Sequence, residues 1–315
     1  MGIVPRKPFT SSSDEMKGFL GTIPMPFEFN GTEDIAYTTC DFMVDPAARF
    51  HGIKLMKQFF AECDNCVAAD DMKATIEITK WMGAEQVAEV YRYVKPVNLK
   101  ALAGRKGTSW MPQSLLGALN PVLSIYNKIK SPGTDKSIAV SEVSQFDDRF
   151  DRLYEAQKQA AGELRSSVVR DSRFLNWRYG PQSPNADCRI ATVSADDGTL
   201  EGYVVFQKSS RADKINNGYI FDIQAVGSRA DAVASKLVAY ATDALRNSGA
   251  WTVTFEQVSE NTCVPEPILY SHGFVRRWGH RLLVRLRDSE KMKTAGKAES
   301  WSYVYGDAEA SHFVC

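Results

Sequence analysis

The sequence has no long hydrophobic run: no stretch approaches the roughly 20 consecutive apolar residues that a membrane-spanning helix needs. The first residues, Met1 to Arg6, have neither the apolar core of a signal peptide nor the Ser or Thr of a myristoylation signal. We therefore expect a cytoplasmic protein with no membrane span.

An excess of either charge is also absent, because the 38 basic residues are balanced by 38 acidic residues. Without a broad basic field, neither nucleic acid nor an anionic membrane surface is an expected partner. The hydrophobic fraction of 44% is ordinary for a globular protein. A chain of 315 residues is long enough for two domains and a connector.

Cysteine is sparse, and the six cysteines are scattered rather than spaced as a disulfide framework. Cys63 and Cys66 form one C-x-x-C pair, but zinc would need two further ligands, and no second pair supplies them. The pair follows a predicted helix, whereas a redox pair is expected at a helix start. We predict two ordinary thiols at a helix-to-strand turn, and no metal site.

The first part of the chain alternates strand and helix patterns. Asn30-Gly31 is a strong signal for a two-residue hairpin turn between two strands. Apolar residues from Ile53 to Phe60 recur at helical spacing. The predicted elements are strands at 17–29, 34–44, 66–69 and 87–94, and helices at 53–62 and 73–81.

Residues 97–136 are punctuated by glycine and proline and are predicted to be a connector. An apolar stripe from Leu115 to Ile129 predicts a helix within it. Because the polar face of this helix carries few basic residues, we expect it to pack between domains rather than on a membrane surface.

A second unit is predicted from residue 137, followed by a polar tail at 289–315. Trp301, Tyr303 and Tyr305 in that tail alternate at strand spacing, so we expect this face to pack on a domain. The predicted elements of the unit are strands at 138–143, 188–194, 200–207, 217–225, 251–257 and 281–284, and helices at 147–161, 170–179, 232–246 and 267–272.

One loop carries a chemical motif. After two predicted strands, Val44, Pro46, Arg49 and Gly52 lead into the first helix, and this segment resembles the acyl-CoA-binding motif of GNAT acyltransferases. In such a loop, backbone N–H groups and the helix dipole bind the pyrophosphate of CoA, and glycine permits close approach. The resemblance predicts that the amides from Phe50 to Lys54 converge on one point. It assigns these cofactor-binding residues: Met43, Val44, Arg49, Phe50, His51, Gly52, Ile53 and Lys54.

The resemblance implies a mixed α/β fold of two GNAT-like mixed sheets flanked by helices, similar to tandem GNAT proteins of bacterial polysaccharide-biosynthesis clusters. The loop at 225–231, which is equivalent in the second half, lacks the glycine spacing and is not expected to hold CoA in the same way. The implied divisions are a partial domain at 1–96 without the early GNAT elements, the connector at 97–136, a second domain at 137–288, and the tail at 289–315.

The implied activity is N- or O-acyl transfer from acetyl-CoA or another acyl-CoA to a small molecule or sugar, without a metal. The backbone at Met43 and Val44 would polarise the thioester carbonyl. Asp41 lies two residues before Met43, which places both on one strand face, and is the candidate catalytic base. Thr79 occupies the place of the tyrosine that many GNATs use as an acid.

Two other interpretations are compatible with the same resemblance. Phe50 replaces the usual first glycine and Lys54 the last small residue, which favours a degenerate, non-catalytic protein that binds a ligand or partner. Fem-type transferases, which use aminoacyl-tRNA, also have paired GNAT halves, but tRNA would favour a basic surface. The sequence leaves dimerisation open.

Overall fold

The computed structural model describes residues 7–10, 16–102, 113–123, 125, 135, 137–162, 165–183, 187–209, 216–259, 263–308 and 311. The strands are β1 Lys7–Thr10, β2 Met16–Phe29, β3 Thr32–Val44, β4 Cys66–Asp70, β5 Glu85–Pro96, β6 Ser141–Val143, β7 Ser166–Val168, β8 Arg189–Ser194, β9 Leu200–Lys208, β10 Asn217–Ala225, β11 Thr252–Val258, β12 Val275–Arg285 and β13 Trp301–Ser302. The α-helices are α1 His51–Glu62, α2 Lys73–Trp81, α3 Gln113–Ala118, α4 Asp148–Ala161, α5 Ser172–Tyr179, α6 Ala230–Asn247, α7 Glu266–Ser271 and α8 Ser289–Ala295.

The hairpin between β2 and β3 forms where the sequence predicts it. Asn30 and Gly31 have φ angles of 53° and 73°, the left-handed values that a type I′ turn requires. Below the turn the strands pair without interruption from Phe29 opposite Thr32 to Gly21 opposite Cys40. The local turn chemistry therefore fixes the register of the longest antiparallel pair.

The strands form one sheet, in the order β13-β7-β2-β3-β4-β12-β5-β11-β10-β9-β8-β6, with β1 paired to β2. The mixed α/β class is confirmed, but the prediction of two separate sheets is wrong. The reason is an exchange of strands: β12 lies between β4 and β5, and β5 lies between β11 and β12. The central antiparallel pair β5–β12 joins the two parts of the chain into one sheet.

The element order β2, β3, α1, β4, α2, β5 recurs later in the chain as β9, β10, α6, β11, α7, β12. In each copy the second and third strands are parallel neighbours. This repetition agrees with the predicted paired halves, while the domain boundaries at 96, 136 and 288 stay predictions.

Different helices cover the two faces of the sheet. On one face α1 packs through Leu55 and Phe59, and α6 packs through Leu237 and Leu245. The opposite face carries α4, α5, α8 and the C-terminal segment over a core that includes Val90 and Val284. Paired strand residues share a face, so the register assigns each side chain of the central strands to one of these two layers.

The outer edge of β2 near Phe29 is covered by the second part of the chain. β7 pairs with β2 from Phe27 to Phe29, and β13 pairs with β7. Trp301 is fully buried and packs edge-to-face on Phe27 and Phe29, with ring centroids 6.2 and 6.1 Å apart. The prediction that the aromatic face of the tail packs on a domain is confirmed.

The connector is described only in part. α3 forms inside it, but Leu119 and Val122 are 41% and 64% exposed, so these two positions of the stripe do not pack as predicted. Tyr126 and Ile129 of the same stripe lie outside the described residues. In the part of the chain that the structure describes, no helix is both long and apolar enough to cross a membrane.

Cys63 ends α1 and Cys66 opens β4, at the predicted helix-to-strand turn. Both thiols are buried, and burial raises the pKa of Cys63 to about 11 and that of Cys66 further still. At neutral pH both are therefore protonated and poorly nucleophilic, as ordinary core thiols are.

Candidate functional site

The parallel strands β3 and β4 separate almost as soon as they meet. Their pairing consists of Tyr37 opposite Cys66, at the start of β4. Beyond this point the two strands diverge toward their carboxyl ends, and within the described chain no strand pairs in the gap between them. Ala68, Ala69 and Asp70 along the gap are partly exposed. In open α/β sheets the carboxyl ends of parallel strands are where ligands bind.

The same gap in the second half is filled. β10 and β11 pair only from Asn217 to Tyr219. Farther along, Val304 forms a bridge with Gln257, and the amide of Val258 donates to the carbonyl of Tyr303 at 3.0 Å. The C-terminal segment 301–308 therefore occupies the place between these strands, whereas no described strand occupies the equivalent place in the first half.

Glycine is required in that segment because the packing leaves no room for a side chain. A Cβ at Gly306 would lie 2.0 Å from the Tyr179 hydroxyl oxygen and 2.8 Å from the Phe221 carbonyl oxygen. Tyr305 stacks on Tyr219 and Phe221, with ring centroids 5.2 and 5.7 Å apart. The second gap therefore has no space for a thioester.

A β-bulge interrupts β3 beside the open gap. Phe19 of β2 pairs with Met43 and Gly21 pairs with Cys40, so two residues of β3, Asp41 and Phe42, lie opposite one residue of β2. Asp41 has a φ of 48°, a left-handed conformation that Asp tolerates better than most residues. The bulge interrupts the regular pairing at this point, and the placement of Asp41 and Met43 on one strand face stays a prediction.

The backbone after the bulge presents an amide to the gap. The amide of Asp45 donates to the carbonyl of Lys17 on β2 at 2.8 Å. Because backbone groups of successive strand residues point to opposite sides, the amide of Val44 is directed away from β2 and toward the gap. Of the two predicted backbone positions, Val44 is thus the one that faces the open side.

The loop after β3 folds into two tight turns before α1 begins. The Asp45 carboxylate accepts from the Ala47 amide at 2.7 Å and caps a short 3₁₀ turn, Pro46–Ala48. Phe50 already has helical φ and ψ angles of −66° and −18°, and α1 starts at His51, which is half-buried. The predicted order of strand, loop and helix is confirmed.

The expected convergence of amides is incomplete. The amide of Gly52 donates to the carbonyl of Arg49 at 3.2 Å, so this N–H group is engaged within the chain. The amides of the first helical turn otherwise lack intrahelical partners in any α-helix. An anion at this helix start would therefore meet fewer free donors than the motif predicts, or would replace the bond between Gly52 and Arg49.

Gly52 also has a packing role that the sequence did not reveal. It is buried, and a Cβ at this position would lie 3.1 Å from Cζ of Phe42 and 3.6 Å from a Val44 methyl carbon. The ring of Phe42 thus lies directly against the start of α1. This contact accounts for glycine without any ligand.

The side chains around the helix start are cationic and apolar. Arg49 and Lys54 are exposed, and the Arg49 guanidinium lies 5.2 Å from the centroid of the Phe50 ring. Four large apolar side chains are also exposed here: Phe42 at 41%, Met43 at 62%, Phe50 at 72% and Ile53 at 41%. The structure thus brings all the predicted cofactor-binding residues to one end of the sheet, beside the open gap.

The predicted acid position holds no proton donor that a substrate could reach. Thr79 is buried in α2, and Gly83 ends that segment with a left-handed φ of 91°, as predicted. Tyr270, the nearest counterpart in the second half, donates to Glu266 at 2.9 Å on α7. Burial and that bond raise the pKa of Tyr270.

A polar cluster on the central strands was missed by sequence reasoning. Arg92 of β5 contacts Glu256 of β11 and His280 of β12. These residues are far apart in sequence and meet only because β5 and β12 are exchanged. The one available signal was the dense run of arginines around Trp278 and Gly279.

No protein-family model matches the sequence, and no curated protein sequence is similar to it. Solved structures resemble it over most of its length. A conserved protein of unknown function from Enterococcus faecalis V583, described as a probable N-acyltransferase, is 12% identical with a TM-score of 0.57 over 89% of this chain. A GCN5-related N-acetyltransferase from Anabaena variabilis is 14% identical with a TM-score of 0.54 over 89% of this chain.

The N-myristoyltransferase of Saccharomyces cerevisiae, solved with bound myristoyl-CoA, is 14% identical with a TM-score of 0.56 over 87% of this chain. The chain spans 62% of the length of each of the first two proteins and 64% of the third. At this identity the similarity shows the fold. The chain has a GNAT-like acyltransferase fold.

Proposed function

We propose that this protein is an acyl-CoA-dependent acyltransferase that transfers an acyl group to an amine or hydroxyl of a small molecule. The reaction would take place in the gap between β3 and β4, with CoA at the loop 48–54. The fold supports this proposal, because the structurally similar proteins are acetyltransferases and an N-myristoyltransferase with bound myristoyl-CoA.

The observation that carries the proposal is the difference between the two gaps. The gap of the second half is filled by residues 301–308, whereas the gap of the first half is open and lies beside the loop with Arg49 and Lys54. A thioester needs a space between the strands and a cationic phosphate site next to it. Among the described residues, only the first half combines the two, so we propose one acyl-CoA per chain.

Each part of the site has a role in the proposed chemistry. Arg49 and Lys54 would contact the CoA phosphates, together with amides at the start of α1. The amide of Val44 would donate to the thioester oxygen as negative charge develops there. The acceptor nitrogen or oxygen attacks the carbonyl carbon, its new bond to carbon forms, and the carbon–sulfur bond breaks.

Two protons must then be placed. The acceptor loses one proton, for which Asp41 at the bulge remains our candidate base, and the departing thiolate gains one. Because Thr79 is buried, we assign no side chain to the second step and expect water to supply that proton.

Calorimetric titration of acetyl-CoA into the full chain tests the loop. We expect Arg49→Ala and Lys54→Ala each to weaken binding by about 1.5–3 kcal/mol, the range for a hydrogen bond to a charged group. Arg229→Ala is the matched control, since Arg229 precedes α6 at the equivalent place in the second half and pairs with Glu201. Undetectable binding to the unmodified protein would refute the loop assignment.

The same protein separates catalysis from binding alone. Release of free CoA thiol in the presence of acetyl-CoA and a panel of amines indicates transfer. Acetyl-CoA binding without thiol release for any acceptor would instead favour the non-catalytic binding protein. Neither the fold nor the charge balance lends support to a tRNA-dependent Fem-type activity.

A further inference from the structure

Two arginines lie directly opposite each other on the central strands. Arg92 of β5 pairs in register with Arg277 of β12. Paired residues share a face, and Val90 of the same strand belongs to the core on the face that carries α4 and α5, so both arginines project from that face of the sheet. Like charges at directly opposite positions, with Cβ atoms about 5 Å apart, destabilise a sheet.

Contacts with Glu256 and His280 fix the orientation of the Arg92 side chain. Its Nε donates to the Glu256 carboxylate at 2.6 Å, and its Nη2 donates to Nε2 of His280 at 2.9 Å. Glu256 is 1% exposed, whereas the Arg92 side chain is 39% exposed. Since a guanidinium has five N–H donors, three remain for a ligand on the exposed side.

His280 belongs to the same polar cluster. Arginine can only donate, so Nε2 of His280 accepts the hydrogen bond from Arg92. The same nitrogen lies 3.5 Å from the Glu256 carboxylate, so Arg92, Glu256 and His280 are in mutual contact.

Arg277 has no such neutralisation. It is exposed, and among the residues that the structure describes no carboxylate forms an ion pair with it. The neighbouring Arg276 pairs with Glu266, and Arg281 lies over the Trp278 ring at 5.3 Å. With Glu256 offsetting Arg92, the pair of arginines retains one uncompensated positive charge at the surface.

The position of the pair relates it to the open gap. β4 ends at Asp70, which is opposite Arg281 of β12, so Arg277 lies past the end of β4. β3, by contrast, extends to Val44, beyond the level at which β4 ends. With β4 absent at this level, β3 and β12 border the open gap from its two sides.

We propose that Arg92 and Arg277 bind an anionic group of the acyl acceptor, a carboxylate or a phosphate, and direct its amine or hydroxyl into the gap between β3 and β4. This inference rests on the proposed acyltransferase function. Two guanidinium groups side by side match the several oxygens of either anion. The acceptor is then a small molecule with an anionic group at one end and the nucleophile at the other.

The test uses three acceptors that differ in one end: O-phosphoethanolamine, γ-aminobutyrate and n-butylamine. With the full chain and saturating acetyl-CoA, thiol release gives KM for each. We expect a KM for at least one of the two anionic amines that is at least tenfold lower than that for n-butylamine. The two anionic amines distinguish a phosphate site from a carboxylate site.

The variants assign the effect to the arginines. Arg277→Ala changes an exposed residue and should fold; we expect it to raise KM for the preferred anionic amine at least tenfold and to leave KM for n-butylamine and the Kd of acetyl-CoA unchanged. Arg281→Ala is the control on the same strand and the opposite face, and should change none of these values. Arg277→Lys should restore part of the loss, because the charge returns without the planar fork.

Failure of the anion site and failure of the proposed acyltransferase function would give different results. Equal KM values for the three amines, or an unaltered KM in Arg277→Ala, would overturn the anion site while the transfer itself stands. If no amine is acylated, calorimetric titration of O-phosphoethanolamine and γ-aminobutyrate decides: binding that Arg277→Ala abolishes supports the site, and no binding of either overturns it. Absence of acetyl-CoA binding to the unmodified protein would contradict the proposed function and would not test the anion site.

Discussion

The guanidinium of Arg170 lies 2.6 Å from the carboxylate of Asp307, and both side chains are almost completely buried. Arg170 also donates to Asp222 of β10 at 2.9 Å. Asp307 in turn accepts from the amide of Val304 at 3.0 Å. This contact fastens the C-terminal segment into the gap of the second half, where it replaces any ligand.

Removing Asp307 should be costly, since a buried donor of Arg170 and the amide of Val304 lose their acceptor, although Arg170 keeps its contact with Asp222. We expect Asp307→Ala to lower the free energy of unfolding by about 1–3 kcal/mol, measured by urea denaturation. Glu290→Ala provides the matched control: its ion pair with Lys293 is equally short, 2.7 Å, but exposed. Its loss should cost about 0–1 kcal/mol. Equal effects of the two substitutions would contradict the structural role of Asp307.

The two gaps differ because different segments follow the two repeats in the chain. The first half ends its repeat at β5 and continues into the connector, whereas the second half is followed by α8 and the segment 301–308, which folds back over β10 and β11. Residues 301–308 fill the gap between β10 and β11, whereas no described strand fills the gap between β3 and β4. The two repeats thus share one order of elements but differ in whether a ligand could enter the gap.

Local structure could be predicted from the sequence because its causes are local. The Asn30-Gly31 turn and the glycine stop at Gly83 follow from backbone preferences at those positions. The helix Lys73–Trp81 and the strand Asn217–Ala225 have the bounds that their patterns predict. The loop beside the gap was predicted differently, from the resemblance of residues 44–56 to the acyl-CoA-binding motif of GNAT acyltransferases.

The exchange of β5 and β12 could not be predicted, because nothing near either strand specifies its neighbour. Both are apolar enough to lie in the middle of a sheet, and their register is set by contacts with residues more than 160 positions away. The bulge at Asp41 and Phe42 is likewise absent from the sequence pattern, since it arises from pairing with β2. The arginine pair Arg92 and Arg277 depends on the same distant pairing.

Substitution of Gly52 tests whether this position requires glycine for packing or for phosphate binding. A methyl group there would lie 3.1 Å from Cζ of Phe42, so Gly52→Ala requires the ring to shift by a few tenths of an ångström. Because overpacking typically costs about 1–3 kcal/mol, we expect Gly52→Ala to lower the free energy of unfolding within that range. Phe42→Leu should relieve the crowding, so the double variant should lose less stability than the two single variants combined. Additive losses in urea denaturation would show that the ring does not limit this position.

Asp41 can be tested without disturbing the bulge, since Asn also tolerates a left-handed φ. If the carboxylate removes a proton from the acceptor, Asp41→Asn should lower kcat by about 10²–10⁴-fold. The Kd of acetyl-CoA should not change, because Asp41 is not assigned to the phosphate loop. An unchanged kcat in the variant would exclude Asp41 as the base.

The buried imidazole of His272 should make the protein less stable in mild acid. His272 is 1% exposed at the end of α7, where its Nε2 lies 2.9 Å from the Ser235 hydroxyl. Burial, and then the charge of Lys95, lowers the pKa of His272 from 6.5 to about 4. Between these values the unfolded chain binds the proton and the folded chain does not. The stability that this residue contributes is therefore complete above pH 6.5 and is lost as the pH falls toward 4.

At about 1.4 kcal/mol per pKa unit, the loss attributable to His272 approaches ~3 kcal/mol at pH 4. His272→Gln keeps a polar group beside Ser235 but cannot titrate, so its stability should fall less steeply over the same range. Urea denaturation of both proteins at pH 7, 6, 5 and 4 measures the difference, and the titration of all other groups cancels in the comparison. Curves that stay parallel from pH 7 to 4 would show that the imidazole is protonated in the folded protein or is solvated there.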